Sequence, residues 1–320
     1  MSWRFRVPSV ATFGPVVALL MACVFFALQS DRFFTTDNVA LVLQQVMVVG
    51  VIAIGQTLIV LTAGVDLSCG AVMALGGVVM TKFATLLGMP VPLAVLSGIG
   101  VTTMFGLFNG LLVAVIRLPP FIVTLGSLNI AFALTQLYSG AQTVTDLPPA
   151  LEALGRTFSV ARTPIEYGVV LMLAMYGVAW FVLRETAWGR HVYALGNNVE
   201  ATRLAGIPTT RLLLSVYAIA GVCYGFAALL AVARTGVGDP NAGQTENLDA
   251  VTAVVIGGTS LFGGRGVVLS SLVGALIVGV FRNGLTLMGV SSVYQLLITG
   301  VLVILAVAAD QLSRRDAGVR

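Results

Sequence analysis

Charge is what this 320-residue chain lacks: Asp, Glu, Lys and Arg make up 9% of it, against about a quarter in a soluble domain. So few ions exclude an ordinary water-soluble enzyme. Lysine is represented by Lys82 alone, which removes the G-x-x-x-x-G-K-[ST] phosphate loop and with it an ATP site of the chain's own. The single histidine, His191, excludes an H-E-x-x-H zinc pair, and no serine-elbow motif is present. The three cysteines, Cys23, Cys69 and Cys223, lie in or beside apolar stretches, without the pairing of a disulfide framework or the spacing of a zinc site. No catalytic, cofactor or metal residue is therefore assigned. The formal charge of +4 comes from arginines scattered between apolar blocks, a pattern that reports topology and not nucleic-acid binding.

What is abundant is apolar sequence, 58% of the chain, in blocks matching the roughly 20 residues of a helix that crosses a bilayer. The blocks predict an all-α polytopic membrane protein of about ten crossings: 10–28, 39–62, 68–87, 91–116, 121–139, 166–183, 212–233, 250–262, 267–287 and 292–309. The eighth is short and runs into glycines, so a half-helix is its alternative. Arg4 and Arg6 before an apolar run resemble a signal peptide, but the run continues past Cys23 to Leu28 without a small-x-small cleavage site, which favours a permanent span. Placing both termini inside puts Arg4, Arg6, Arg117, Arg184, Arg190, Arg203, Arg211, Arg265, Arg314, Arg315 and Arg320 on the cytoplasmic side. Arg32, Lys82, Arg156, Arg162 and Arg234 then lie outside, as the positive-inside rule prefers. The chain reads as one permease domain, 1–320, with halves near 1–140 and 166–310. A shift of 174 residues aligns Asn109-Gly110-Leu111 with Asn283-Gly284-Leu285 and Gly126 with Gly300. An offset of five crossings makes the repeat inverted, an arrangement common in transporters.

Four features stand out from the apolar background. Asp66 interrupts the segment Thr62-Ala63-Gly64-Val65-Asp66-Leu67-Ser68, either as a helix-start residue or facing a route through the membrane. Gly257-Gly258-Thr259-Ser260-Leu261-Phe262-Gly263-Gly264-Arg265-Gly266 reads as a tight packed break. The loop 184–211 carries Asn198 as a helix start, two turns, Gly206 as a stop and Pro208 beyond, which are the marks of a short docking helix. Amides within spans (Gln44, Gln45, Gln56, Asn109, Asn129, Gln136, Asn283 and Gln295) suit an uncharged polyhydroxy solute, or serve as hydrogen-bonded glue between helices. Gly106-x-x-x-Gly110 and Gly221-x-x-x-Gly225 predict close helix crossings.

At these residues the chain resembles the permease subunits of bacterial ABC importers for monosaccharides of the ribose, xylose, arabinose and fructose type, related to the branched-chain amino acid permeases. The segments that carry the resemblance are Gly64-Val65-Asp66-Leu67-Ser68, Leu118 to Gly126, Trp188 to Gly196, and Gly257 to Gly266. Glu200-Ala201 and Gly206 also match the Glu-Ala-Ala-x-x-x-Gly coupling loop, with Thr202 in place of its second Ala. The resemblance implies two cytoplasmic ATP-binding subunits, a second permease copy (identical or paired), a periplasmic sugar-binding protein and a bacterial inner-membrane location. It assigns Glu200, Ala201 and Gly206 to the ATPase contact, and the capped two-turn helix on the positive side adds Arg203.

The candidate pathway residues are Asp66, Asn109, Gln136, Arg282, Asn283 and Gln295; Arg282 is the only arginine within an expected span. The two long outer segments, 140–165 and 234–249, are the expected landing surface for the binding protein, through Arg156 and Arg234, with a short helix from Pro149 to Gly155. An ion-coupled secondary transporter is the alternative reading.

Overall fold

Long apolar stretches leave the backbone no hydrogen-bonding partner but itself, and helices are the consequence. The computed structural model describes residues 10–160 and 163–318; Arg4, Arg6, Arg162 and Arg320 lie outside the described residues. The helices are α1 (Val10–Gln29), α2 (Thr36–Leu61), α3 (Cys69–Thr85), α4 (Val91–Ala114), α5 (Pro120–Ser139), α6 (Tyr167–Glu185), α7 (Ala187–Asn197), α8 (Val199–Leu204), α9 (Thr209–Thr235), α10 (Glu246–Ile256), α11 (Val268–Leu287) and α12 (Ser292–Gly318). Among the described residues, α2, α4, α5, α6, α9 and α11 are long and apolar enough to cross a membrane. The protein is a polytopic membrane protein. At 11 residues, α10 reaches only about 16 Å and cannot cross a ~30 Å core alone.

One hairpin has no counterpart in the sequence reading, and one expected helix is shortened. A two-stranded antiparallel hairpin, β1 (Thr157–Val160) with β2 (Thr163–Glu166), pairs Thr157 with Glu166 and Phe158 with Ile165. Where a helix from Pro149 to Gly155 was expected, only a 3-10 turn, Ala153–Gly155, forms.

The centre is the pair α2 and α9. Every residue of α2 from Val46 to Leu61 is buried, which is why its sequence has no polar stripe: a helix covered on all sides is apolar all round. The glycine pairs foreseen in the sequence make the α4–α9 crossing. A Cβ on Gly106 would lie 2.3 Å from the Tyr217 carbonyl oxygen, and one on Gly221 would lie 2.6 Å from that of Thr102.

Packing is duplicated. α3 packs on α4 and α9, while α10 packs on α11 and α2; α4 packs on α9, while α11 packs on α2. Adding 174 to the bounds of α2 gives 210–235, against 209–235 for α9.

Between α2 and α3, and again between α9 and α10, the chain leaves the helix. Residues 62–68 run along α9, with Gly64 beside Tyr217 and Asp66 beside Tyr224. Residues 236–245 run along α3, from Gly238 against Thr81 to Gly243 against Gly70. Eleven helical steps separate Thr81 from Gly70, so the second segment descends about 16 Å. At its foot a Cβ on Gly70 would stand 2.0 Å from the Gly243 carbonyl oxygen; only two glycines let these backbones touch.

Candidate functional site

Non-helical backbone at membrane depth survives only where protein satisfies its polar groups, and here side chains from five helices do so. With its amide turned to satisfy both groups, Gln56 of α2 donates to the Asp66 carbonyl at 3.0 Å and accepts from the Asp66 N–H at 3.2 Å. Thr124 of α5 donates to the Val65 carbonyl at 3.2 Å, and Asn247 of α10 donates to that of Leu67 at 3.3 Å. The Asp66 carboxylate accepts from the Ser68 N–H at 2.7 Å, from the Ser68 hydroxyl at 2.6 Å and from Tyr224 of α9 at 3.2 Å. Asn109 of α4 donates to Ser68 Oγ at 3.1 Å and accepts from Ser127 of α5. Asp66 and Asn109 are both buried to about 1% exposure. Asp66 therefore braces the turn into α3, whose formal cap is Ser68.

The second segment has its own supports. Gln136 of α5 donates to the Pro240 carbonyl at 3.4 Å and to Asn241 Oδ1 at 3.0 Å. Arg282 of α11 meets Asp249 of α10 at 2.9 Å and donates to Thr245 Oγ1 at 3.2 Å. Asn283 exchanges two hydrogen bonds with Asn38 of α2, at 3.0 and 2.9 Å. Gln295 ties α12 to the turn before it, through the Val290 carbonyl at 2.9 Å, and to α11, through Thr286 Oγ1 at 3.1 Å. The six pathway candidates thus divide into three groups: Asp66 with Asn109 around the first segment, Gln136 with Arg282 around the second, and Asn283 and Gln295 apart from both.

At the opposite end from the hairpin, α7 and α8 fold as a unit. Asn198 caps α8, accepting from the Ala201 N–H at 2.9 Å, and Gly206 stops it at φ +81°. Glu200 and Arg203 pair at 2.5 Å on the exposed face, and that hydrogen bond, with the charge of Arg203, holds the Glu200 carboxyl below its ordinary range. Arg117, in the α4–α5 turn, adds to the same field. Leu204 and Val199 project outward at 75% and 55% exposure. α7 lies directly on the end of α2: a Cβ on Gly196 would be 1.8 Å from the Leu61 carbonyl oxygen. The glycine-rich break lands on the same spot, through Gly264 N–H to the Leu61 carbonyl at 2.9 Å and Tyr193 OH to the Gly266 carbonyl at 2.9 Å.

Residues 38–307 match the family described as the branched-chain amino acid transport system / permease component. The chain belongs to this permease family. It is 44% identical to the fructose import permease protein FrcC of Rhizobium meliloti over 309 residues, covering 95% of this chain and 86% of that one. Against the ribose import permease protein RbsC of Escherichia coli K12 it is 38% identical over 303 residues, covering 92% of each. Against the xylose transport system permease protein XylH of the same strain it is 30% identical, covering 96% of this chain and 93% of that one.

In this permease the hairpin end gathers the two arginines expected to dock a partner. The 3-10 turn abuts the end of α9, where a Cβ on Gly155 would be 2.1 Å from the Ala233 carbonyl oxygen. Arg156 and Arg234 flank that contact. Val144 bridges to Gly238, fixing the 140–166 loop to the descending segment.

Glu166, just before α6, is buried. One carboxylate oxygen accepts from Gln44 and the other has no partner. Burial pushes its carboxyl above the ordinary 4.5, with Gln44 and Arg234 offsetting only part of the rise. A carboxylate whose folded pKa is raised costs nothing below pH 4.5 and its full cost above the folded value. Glu166→Gln should therefore raise the unfolding midpoint of detergent-solubilised protein at neutral pH by about 1–3 °C. The gain should vanish near pH 4. An equal gain at both pH values would contradict this origin.

Among residues not singled out from the sequence, Ser68, Ser127 and Tyr224 complete the Asp66 network, and Asp249 pairs Arg282. Tyr224 lay inside an apolar run, where one polar residue reads as incidental until its partner is known, and Asp249 stood at the end of the polar segment 234–249, one carboxylate among several.

Proposed function

We propose that the chain is the membrane subunit of an ATP-driven importer of an unphosphorylated monosaccharide. It works beside a second permease copy, two cytoplasmic ATP-binding subunits and a sugar-binding protein on the hairpin side. Membership of the permease family and similarity along nearly the whole chain to fructose, ribose and xylose permeases support this reading. The absence of a phosphate loop from the sequence places ATP hydrolysis on another subunit.

Ten crossings with both termini cytoplasmic follow if each non-helical segment counts with the helix after it. About 16 Å of extended chain plus about 16 Å of α10 spans a ~30 Å core. The duplicated packing of α2–α5 and α9–α12 supports an inverted repeat, and α7 and α8 then lie in the cytoplasm. The observation that carries the mechanism is that α7, the glycine-rich break and the start of the 62–68 segment converge on the Leu61 carbonyl. A push on α8 from an ATP-binding subunit, received through Glu200, Ala201, Arg203 and the exposed Leu204, thereby reaches the first broken segment through α7. Alternating access follows if the two segments exchange tight and open arrangements. Arg156 and Arg234 meet acidic residues on the binding protein.

The second copy packs against α5. Its outward face carries Asn129, exposed halfway along the helix; its amide N–H donates back to the Leu125 carbonyl at 3.2 Å, and lipid offers the amide's oxygen no partner. Gln136, Asn241 and Gln244 continue this polar line. With the native cysteines replaced, Asn129→Cys should be joined between copies by a short bis-maleimide, whereas Gly177→Cys on α6 should not. Linkage at Gly177 and none at Asn129 would remove α5 from the interface.

A further inference from the structure

Where the second segment descends between α3 and α9, it leaves a cavity of about 280 Å³. The helices give it small apolar walls, Ala74 and Gly77 on one side and Ala228 and Val232 on the other. The end of α9, the segment and the first residue of α10 give it Arg234, Thr235, Asp239, Asn241, Gln244 and Glu246. These groups are only partly engaged. Asp239 uses Oδ1 on the Asn241 N–H at 2.9 Å, and Glu246 uses Oε2 on the Thr245 N–H at 3.2 Å; each keeps a second oxygen. Gln244 donates to Asn241 at 3.3 Å and keeps its carbonyl. The Arg234 guanidinium donates no hydrogen bond among the described residues, and its charge also reaches Glu166.

Free acceptors and a free guanidinium around one small space match a molecule whose every edge both donates and accepts, and hydroxyl groups do this. The volume falls at the small end of ligand sites, ~300–1,000 Å³, a monosaccharide's size. Two carboxylates against one guanidinium oppose a phosphate or a uronate. Across the segment lies a second cavity of about 130 Å³, bounded by Leu128, Phe132 and Thr135 of α5. Ala74, Ala242, Gly243 and Gln244 border both cavities, so residues 242–244 form a thin partition between the hairpin-side space and the α5 face.

We propose that the larger cavity is a solute subsite within the permease, which takes an uncharged monosaccharide before it passes the 242–244 partition. This rests on the reading of the chain as a sugar permease. The test is equilibrium binding of radiolabelled fructose and ribose to the permease with its ATP-binding subunits in nanodiscs, without the binding protein. Saturable binding is expected for at least one of them, displaced by the unlabelled sugar and not by its phosphate ester. Gln244→Ala, an exposed position that folding tolerates, should weaken binding about tenfold, the effect of one lost hydrogen bond to a hydroxyl. Asp239→Asn should weaken it and also admit competition by the phosphate ester. No saturable binding by a complex that still transports sugar overturns the subsite and leaves the permease reading standing. Binding unaltered in both variants overturns it equally. A complete importer that transports neither these sugars nor xylose would instead count against the permease reading.

Discussion

Gly206→Val should yield an importer that assembles and hydrolyses ATP but accumulates almost no sugar. Gly206 ends α8 at φ +81°, with its N–H on the Arg203 carbonyl at 3.0 Å and the Ile207 N–H on that of Thr202 at 3.3 Å. A β-branched residue in that conformation costs about 1–3 kcal/mol, so the stop opens roughly 5- to 150-fold more often. The strain is local, because no atom lies within 4 Å of where a Cβ would sit, and helix packing in the membrane is untouched. The checks are co-purification of the ATP-binding subunits, ATP hydrolysis and sugar uptake in proteoliposomes. Normal uptake with normal assembly would remove α8 from the coupling route.

The second large effect is expected at Arg282. Its pairing with Asp249, whose side chain is 5% exposed, anchors the first turn of the short α10 to α11. Arg282→Leu strands that carboxylate in an apolar setting. Removing one partner of a buried pair costs about 3–5 kcal/mol, and the lower end applies because Arg282 itself is partly open. The variant should insert in the membrane yet lose uptake. Replacing both members with Leu removes the stranded charge, so Arg282→Leu/Asp249→Leu should recover folded yield. Recovery of uptake as well would make the pair purely a support for α10. Recovery of yield alone would give the charges a part in transport. Wild-type uptake by the single variant would reduce Arg282 to a snorkelling side chain.

Most of the helical frame was legible because it depends on one property, apolar length. The expected crossing 39–62 corresponds to Thr36–Leu61, and 121–139 to Pro120–Ser139. The cap at Asn198 and the stop at Gly206 were legible because each is a local interaction between a residue and its own next turn. α7 was passed over as loop, although Thr186 caps it through the Gly189 N–H at 3.2 Å and Gly189, Val192 and Leu195 bury one face. Its polar positions, Arg190 and His191, hid the apolar period in a window of 11 residues. The hairpin was missed for a different reason: strands of four residues carry too few alternations to announce themselves. The meeting of the second broken segment with the start of α3 was out of reach, because Gly70 and Gly243 are 173 positions apart and nothing in either glycine names the other. Among the span amides, Asn283 and Gln56 are engaged as hydrogen-bonded glue within the subunit, while Asn129 faces outward, where the proposed second copy would meet it.

The most direct test of the account is sugar accumulation by proteoliposomes holding the permease, its ATP-binding subunits and its binding protein. Accumulation should require enclosed ATP on the side of α8, stop when hydrolysis is blocked, and continue when a protonophore collapses the ion gradient. Accumulation that ignores ATP and collapses with the protonophore would contradict it and make the chain an ion-coupled transporter.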